Sequence, residues 1–117
     1  MNKNEIISQV VHEFYAKAKT DFMIGYHFRV IDDFDTHIPR IITFWEIQLL
    51  GEKPKVEIPP FDLINIHRPL NIKKGELGRW VSLFQETLNN VSKDQDLNNK
   101  WNEKVEFFRD RMLKTFF

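Results

Sequence analysis

The chain contains no cysteine, which excludes disulfide bonds, thiolate zinc sites, iron–sulfur clusters and a cysteine nucleophile. It also lacks an excess of either charge, because 17 Lys and Arg residues balance 17 Asp and Glu residues. Nucleic-acid binders usually carry a basic excess, and anionic membranes attract polybasic stretches. We therefore expect no nucleic acid and no membrane among the partners.

Long hydrophobic runs are missing as well. The most apolar window, Ile41–Leu50, is interrupted by Glu46 and Gln48 and is too short to span a bilayer. The first residues do not form the apolar stretch of a secretory signal, so we predict a cytoplasmic protein. A length of 117 residues is typical of one domain, and we expect residues 1–117 to form it.

Aromatic residues, in contrast, are abundant. They make up 14% of the chain, with 11 Phe and 3 Trp, and hydrophobic residues reach 42%. This is enough for a packed core. So many rings in a short chain suggest that some of them line a binding cavity.

Helical periodicity is strong in four places and strand-like alternation is weak, so the sequence predicts an all-α fold. Asn2 and Glu5 have the spacing of a capping box, and an apolar stripe follows them as far as Ala18. A further helical turn or two is expected within Phe22–Phe28. Asp32 and Asp33 follow this short helix, and either can cap the start of a new one.

The second long helix is expected to start within Asp32–Thr36 and to end at Gly51. Pro39 is then tolerable only in the first turn or at a kink. Three prolines in Gly51–Ile66 predict an extended loop that leads to a lone histidine, His67.

The third long helix is predicted to begin near Lys73–Gly75, and Ser92 with Gln95 is a candidate capping box for the last helix. Pro69 predicts that His67 lies at a helix end or in a single turn. The last helix has a charged face that we expect to be solvated, comprising Lys100, Glu103, Arg109, Asp110 and Lys114.

Motifs for common chemistry are absent. There is no Gly-rich phosphate loop, nucleophile elbow or HExxH zinc pair, and the four histidines show no mutual helical spacing for a bare metal site. A haem requires less from a sequence: one axial imidazole, an apolar slot and a few polar groups on the opposite side. This chain can supply each of these parts.

The second long helix has two apolar faces. His37, Ile41 and Phe44 share one of them, because they are spaced four and three residues apart. Tyr15 and Trp80 bring further hydrogen-bonding groups into the apolar stripes of their helices. The neighbouring face of the second long helix can pack against other helices and carries Ile38, Ile42, Trp45 and Leu49.

Spacing alone, however, favours less specific interpretations. A buried Tyr or Trp on a helical stripe usually belongs to the core, and a single His at a helix start is more often a surface group than an iron ligand. We interpret His12 and His27 as structural or exposed. On periodicity alone, a helical module of unknown role is favoured over haem binding.

Taken together, several segments resemble a group III truncated haemoglobin, a short bacterial globin with a two-over-two helical sandwich that encloses haem. The match runs in chain order over residues 10–90, and the paired-glycine motifs of the other truncated-globin groups are absent. The segments are Glu13-Phe14-Tyr15, Ile24-Gly25-Tyr26-His27-Phe28, His37, Phe44-Trp45-Glu46-Ile47-Gln48-Leu49-Leu50-Gly51, His67-Arg68-Pro69-Leu70 and Arg79-Trp80-Val81-Ser82-Leu83-Phe84.

The resemblance implies haem b (iron protoporphyrin IX) with His67 as the proximal iron ligand. It further implies that Tyr15 and Trp80 are distal groups that contact a bound gas, and that His37 is a distal histidine acting as a gate. The residues expected to contact the haem are Phe14, Phe28, Arg40, Ile41, Phe44 and Arg79, with the two arginines as partners of the propionates.

The function implied by this resemblance is binding of O2, CO or NO at a five-coordinate iron. It would serve oxygen binding, transport or storage, or else NO dioxygenase or peroxidase-like chemistry with a reductase that the sequence does not identify. We expect a monomer. The alternative is a haem-free helical interaction module whose exposed aromatics, such as Phe116 and Phe117, bind a partner protein.

Overall fold

The computed structural model describes all of residues 1–117, as six α-helices with no strand, which confirms the predicted all-α class. No helix combines the length and the hydropathy that crossing a membrane requires. A short 3₁₀ turn, Arg68–Leu70, follows the fourth helix. The helices are α1 (Lys3–Lys19), α2 (Gly25–Arg29), α3 (Phe34–Leu50), α4 (Leu63–His67), α5 (Lys74–Val91) and α6 (Gln95–Phe116).

The capping box predicted at the start of α1 is present. The Asn2 side chain accepts the backbone N–H of Glu5 at 2.8 Å, and the Glu5 carboxylate accepts the backbone N–H of Asn2 at 3.2 Å. At the other end of α1, Gly25 allows α2 to approach closely, because a Cβ atom at this position would lie 2.9 Å from the carbonyl oxygen of Lys19.

The long helices form two layers. In one layer α1 packs against α3, in the other α5 packs against α6, and α1–α5 and α3–α6 contacts join the layers. The indole of Trp101, fully buried on α6, packs against the rings of Trp45 and Phe84, with centroid distances of 5.4 and 5.3 Å. This arrangement confirms the predicted two-over-two sandwich.

The boundaries predicted for α3 are also confirmed. Asp33 caps the helix by accepting the backbone N–H of Thr36 at 3.1 Å, and Gly51 ends it in the left-handed conformation, at φ 66°. Pro39 lies in the second turn, inside the helix, rather than in the first turn. Because proline has no N–H, the carbonyl of Asp35 loses its usual helical partner there.

The proline-containing loop ends earlier than predicted. Asp62 accepts hydrogen bonds from the backbone N–H of Asn65 at 3.2 Å and from its side-chain amide at 2.7 Å, and this cap starts α4 at Leu63. His67 is the last residue of this one-turn helix. That position agrees with the prediction drawn from Pro69.

The predicted cap of α6 is wrong. Ser92 instead ends α5, while Asp94 caps α6 by accepting the backbone N–H of Leu97 at 3.0 Å. Asp94 directly precedes the first helical residue, so its carboxylate reaches the third N–H of the helix, which Ser92 is two residues too early to do.

Candidate functional site

A cavity of about 530 Å³ lies among the six helices, and 22 of its 28 lining residues are hydrophobic. Pockets that bind small molecules have volumes of roughly 300–1,000 Å³ and mostly apolar walls. All the site residues predicted from the sequence except Arg79 line it, namely Phe14, Tyr15, Phe28, His37, Arg40, Ile41, Phe44, His67 and Trp80.

His67 is half-buried in the cavity wall. Its Nδ1 lies 2.6 Å from the carbonyl oxygen of Leu63, one turn earlier, so Nδ1–H donates to that carbonyl. Burial lowers the pKa of His67, which favours the neutral imidazole. Nε2 is then unprotonated and available as a metal ligand, in an orientation that the Leu63 carbonyl holds.

The chain offers no site for a metal ion that is not held by a macrocycle. No three His, Asp or Glu side chains come together to hold one. His67 by itself matches the requirement of an iron that already has four ligands from a macrocycle, which needs only one axial imidazole from the protein.

Tyr15 and His37 form a second polar group in the cavity, with the Tyr15 hydroxyl 3.0 Å from Nε2 of His37. Burial raises the pKa of Tyr15, so its hydroxyl remains protonated. Burial also lowers the pKa of His37, and the nearby charge of Arg40 lowers it further. Both members of the pair are therefore neutral near pH 7.

A series of ring contacts connects this pair to His67. The ring of Trp80 lies 6.3 Å from that of His67 in a T-shaped arrangement, and it lies 4.7 Å from Phe28. Phe28 in turn lies 5.4 Å from Tyr15, and Tyr15 lies 5.5 Å from His37. Five elements, α1 to α5, thus each contribute one ring to a continuous wall of the cavity.

The loop before α4 covers part of this cavity. Its residue Phe61 packs against Phe44 of α3 and Phe108 of α6, with ring centroids 4.5 and 5.5 Å apart. Lys55 attaches the loop to α3 by donating to the buried carboxylate of Glu46 at 2.9 Å. The sequence predicted an extended loop at this place but not its contact with the cavity.

Arg79 is not in the cavity wall. Its Nε and Nη2 both donate to Oδ1 of Asp21, at 2.9 and 2.7 Å. The bond from Arg79 lowers the pKa of Asp21, whose side chain is buried and also caps the turn before α2. The position of Arg79 therefore gives no support to the prediction that it binds a propionate. Arg40, in contrast, lies at the cavity wall and is exposed.

Sequence reasoning missed the environment of His27, which is buried and lines the cavity. Its Nε2 lies 3.1 Å from Oε1 of Glu76, and the Tyr26 hydroxyl donates to the other carboxylate oxygen. Burial raises the pKa of Glu76, but the hydrogen bonds from Tyr26, the Lys73 N–H and His27 outweigh it and lower the pKa to about 2. No spacing in the sequence indicated this contact, because His27 and Glu76 are 49 positions apart.

Arg109 also differs from the prediction, because it lines the cavity instead of belonging wholly to a solvated face. Its Nε is buried and has no hydrogen-bond partner. Val105 and Met112, four residues before and three after it, line the cavity as well, so helical spacing contained this information.

Comparison with known proteins agrees with this fold. The family described as bacterial-like globin matches residues 2–114. The crystal structure of a group III truncated haemoglobin from Campylobacter jejuni matches with a TM-score of 0.70 and 22% sequence identity, covering 100% of this chain and 93% of that chain. No curated protein gave a significant match. Because the family match extends over nearly the whole sequence, this chain belongs to the bacterial-like globins.

Proposed function

We propose that this globin binds haem b through His67 and takes up O2, CO or NO on the side of Tyr15, His37 and Trp80. Membership of the globin family implies haem binding. The observation that carries the rest of the proposal is the half-buried imidazole of His67 in the wall of a large apolar cavity, with Nδ1 held by the Leu63 carbonyl.

The residues of the cavity are suited to a porphyrin. Its walls are apolar and rich in rings, no carboxylate lines it, and Arg40 offers an exposed cation for a propionate. In this proposal His67 is the axial ligand of the iron. The apolar contacts with the macrocycle come from Phe14, Phe28, Ile41 and Phe44.

When bound, ferrous haem would supply an open coordination position for a diatomic gas and a centre for one-electron chemistry. The protein would supply neutral donors on the ligand side, namely the Tyr15 hydroxyl and the Trp80 indole N–H. A hydrogen bond to a charged acceptor contributes about 1.5–3 kcal/mol, which corresponds to about ten- to a hundredfold in a dissociation rate. Slow dissociation of O2 suits capture of the gas or redox chemistry on it better than delivery of O2.

The bond between Tyr15 and His37 determines where the phenol proton points. If Nε2 of His37 is unprotonated, it accepts the Tyr15 O–H, and the donor is turned away from the gas. If Nε2 carries a proton, it donates to the Tyr15 oxygen, and the phenol O–H is free to face the gas. A change of the His37 tautomer would switch between these arrangements, and a swing of the ring away from Tyr15 would also free the phenol O–H; we propose that His37 acts as a gate in this way.

We propose three reaction classes for this site: NO dioxygenation, peroxide chemistry, and O2 storage or sensing. The first two need electrons, so a reductase would be the partner. Tyr15 and Trp80 would stabilise negative charge that develops on an oxygen atom, which is a role common to all three. For storage or sensing, the single-domain monomer would act without a reductase.

Hemin titration of the purified protein tests the proposal. We expect uptake of one equivalent with a strong Soret band, and loss of stable uptake in His67→Ala. His12→Ala is the matched control, since His12 is exposed on α1 and bonds only to groups of Ser8. A wild-type protein that takes up no hemin would instead favour the haem-free interaction module.

A further inference from the structure

Two arginines are the only permanently charged side chains in the cavity wall. Arg40 lies on α3 and Arg109 on α6, and no Asp or Glu lines the cavity. A ligand with a large apolar body and carboxylates at its edge is complementary to such a wall. The wall by itself thus favours an amphipathic anion.

The guanidinium of Arg109 is only partly satisfied by the protein. Its Nη2 donates to Oε2 of Glu106 at 2.5 Å and lies 3.6 Å from Oδ1 of Asp110. Its Nε is buried and has no acceptor. Buried donors in native proteins almost always have a protein, water or ligand partner, and Nε is free to donate to a group that enters the cavity.

The other candidate cation, Arg79, already has its partner. Two of its nitrogens donate to the buried carboxylate of Asp21, and Arg79 does not line the cavity. Moving its guanidinium to a ligand would leave Asp21 without these bonds. Arg109, in contrast, can use Nε without breaking its contact with Glu106.

We propose that Arg109 binds a carboxylate of the haem, with Nε–H as the donor, and takes the role that the sequence assigned to Arg79. This inference rests on the proposed function, because the carboxylate belongs to the haem. It places a haem-binding cation on the last helix, at a position expected from the sequence to be solvated.

The test measures how fast the ferric haem-loaded protein loses hemin to an excess of a haem-scavenging apoglobin. We expect Arg109→Gln to accelerate this loss about five- to tenfold, since a partly exposed ion pair contributes about 1 kcal/mol or slightly more. Arg111→Gln is the control, because Arg111 is exposed on the same helix and does not line the cavity. Its rate should equal that of the wild type.

Haem dimethyl ester distinguishes a carboxylate contact from a packing effect. With this ligand, which has no free carboxylates, we expect Arg109→Gln and wild type to lose it at the same rate. Equal acceleration with hemin and with the ester, or no acceleration with hemin, would overturn the proposal. Arg109→Lys keeps the charge and the aliphatic stem but has no Nε donor, and it should lose hemin at an intermediate rate.

Failure of the proposed function would look different. The wild-type protein would then take up neither hemin nor its dimethyl ester, and no Soret band would form. A wild type that binds both, together with an Arg109→Gln variant that behaves identically, would refute only the role of Arg109.

Discussion

The hydroxyl of Tyr15 on α1 lies 3.0 Å from Nε2 of His37 on α3, so the two helices of one layer meet through a hydrogen bond at the wall of a mainly apolar cavity. The two residues are 22 positions apart in the chain. Both side chains are neutral near pH 7, because burial raises the pKa of Tyr15 and lowers that of His37. The pair can therefore exchange donor and acceptor roles without a net change in charge.

The first prediction concerns the hydroxyl of Tyr15. In the ferrous haem-loaded protein, Tyr15→Phe should accelerate O2 dissociation about ten- to a hundredfold, because it removes a donor worth about 1.5–3 kcal/mol. CO association should change much less, since CO carries little negative charge. Stopped-flow ligand replacement and flash photolysis measure the two rates.

The bond with His37 adds a further expectation for the same experiment. The effects of Tyr15→Phe and His37→Leu on O2 dissociation should not add in the double variant, because the two side chains are in contact. Additive effects would contradict the coupling between the two side chains, and an O2 dissociation rate that Tyr15→Phe leaves unchanged would remove the hydroxyl from the mechanism.

The second prediction tests His67 by chemical rescue. His67→Gly should lose stable hemin binding, and added imidazole should restore a Soret band by occupying the space that the side chain leaves. Optical titration with and without imidazole measures this, with His12→Ala as the control. Full hemin retention by His67→Gly in the absence of imidazole would exclude the axial assignment.

The third prediction concerns acid stability. The pKa of Glu76 is lowered from its ordinary value of 4.5 to about 2 by hydrogen bonds from Tyr26, Lys73 and His27 that outweigh the effect of burial. The unfolded chain thus binds this proton more tightly than the folded protein. The stabilisation from Glu76 is present above pH 4.5 and is lost as the pH falls towards 2.

Replacement of this carboxylate should change both the size and the pH dependence of stability. We expect Glu76→Gln to lower the free energy of unfolding at pH 7 by about 1–3 kcal/mol. It should also make the loss of stability below pH 4.5 less steep. Urea unfolding of the haem-free protein across this range measures both, with exposed Glu86→Gln on the same helix as the control. If the free energy of unfolding of wild type and of Glu76→Gln changed in parallel with pH, the lowered pKa of Glu76 would be contradicted.

The fourth prediction separates the two arginines that the sequence grouped together. Arg79→Gln should lower the free energy of unfolding by about 1 kcal/mol, because buried Asp21 loses its partner while Arg79 itself is partly exposed. It should leave the rate of hemin loss unchanged. Arg40→Gln should instead accelerate hemin loss and leave the free energy of unfolding unchanged. Thermal unfolding measures the stability of each variant, and hemin transfer measures its rate of hemin loss. Faster hemin loss from Arg79→Gln would restore the role expected from the sequence.

The difference between the positions of Arg79 and Arg109 could not be predicted from the sequence. Both arginines lie on amphipathic helices, and both are about equally exposed. Arg79 directly precedes Trp80, which does line the cavity, but it turns to Asp21, which is 58 positions earlier. No helical spacing encodes that choice, because it depends on how α5 packs beside the turn before α2.

Local structure and the kinds of functional groups available follow from the order of the residues along the chain. Helical periodicity, the Asn2 capping box and Gly51 act over three or four residues, and the sequence therefore predicted them correctly. Packing of the helices decided which groups meet: Tyr15 with His37, His27 with Glu76, and Arg79 with Asp21. The helices pack against each other because packing buries apolar surface. Polar groups that become buried in this way are stable only where a hydrogen-bonding group on another helix lies opposite them.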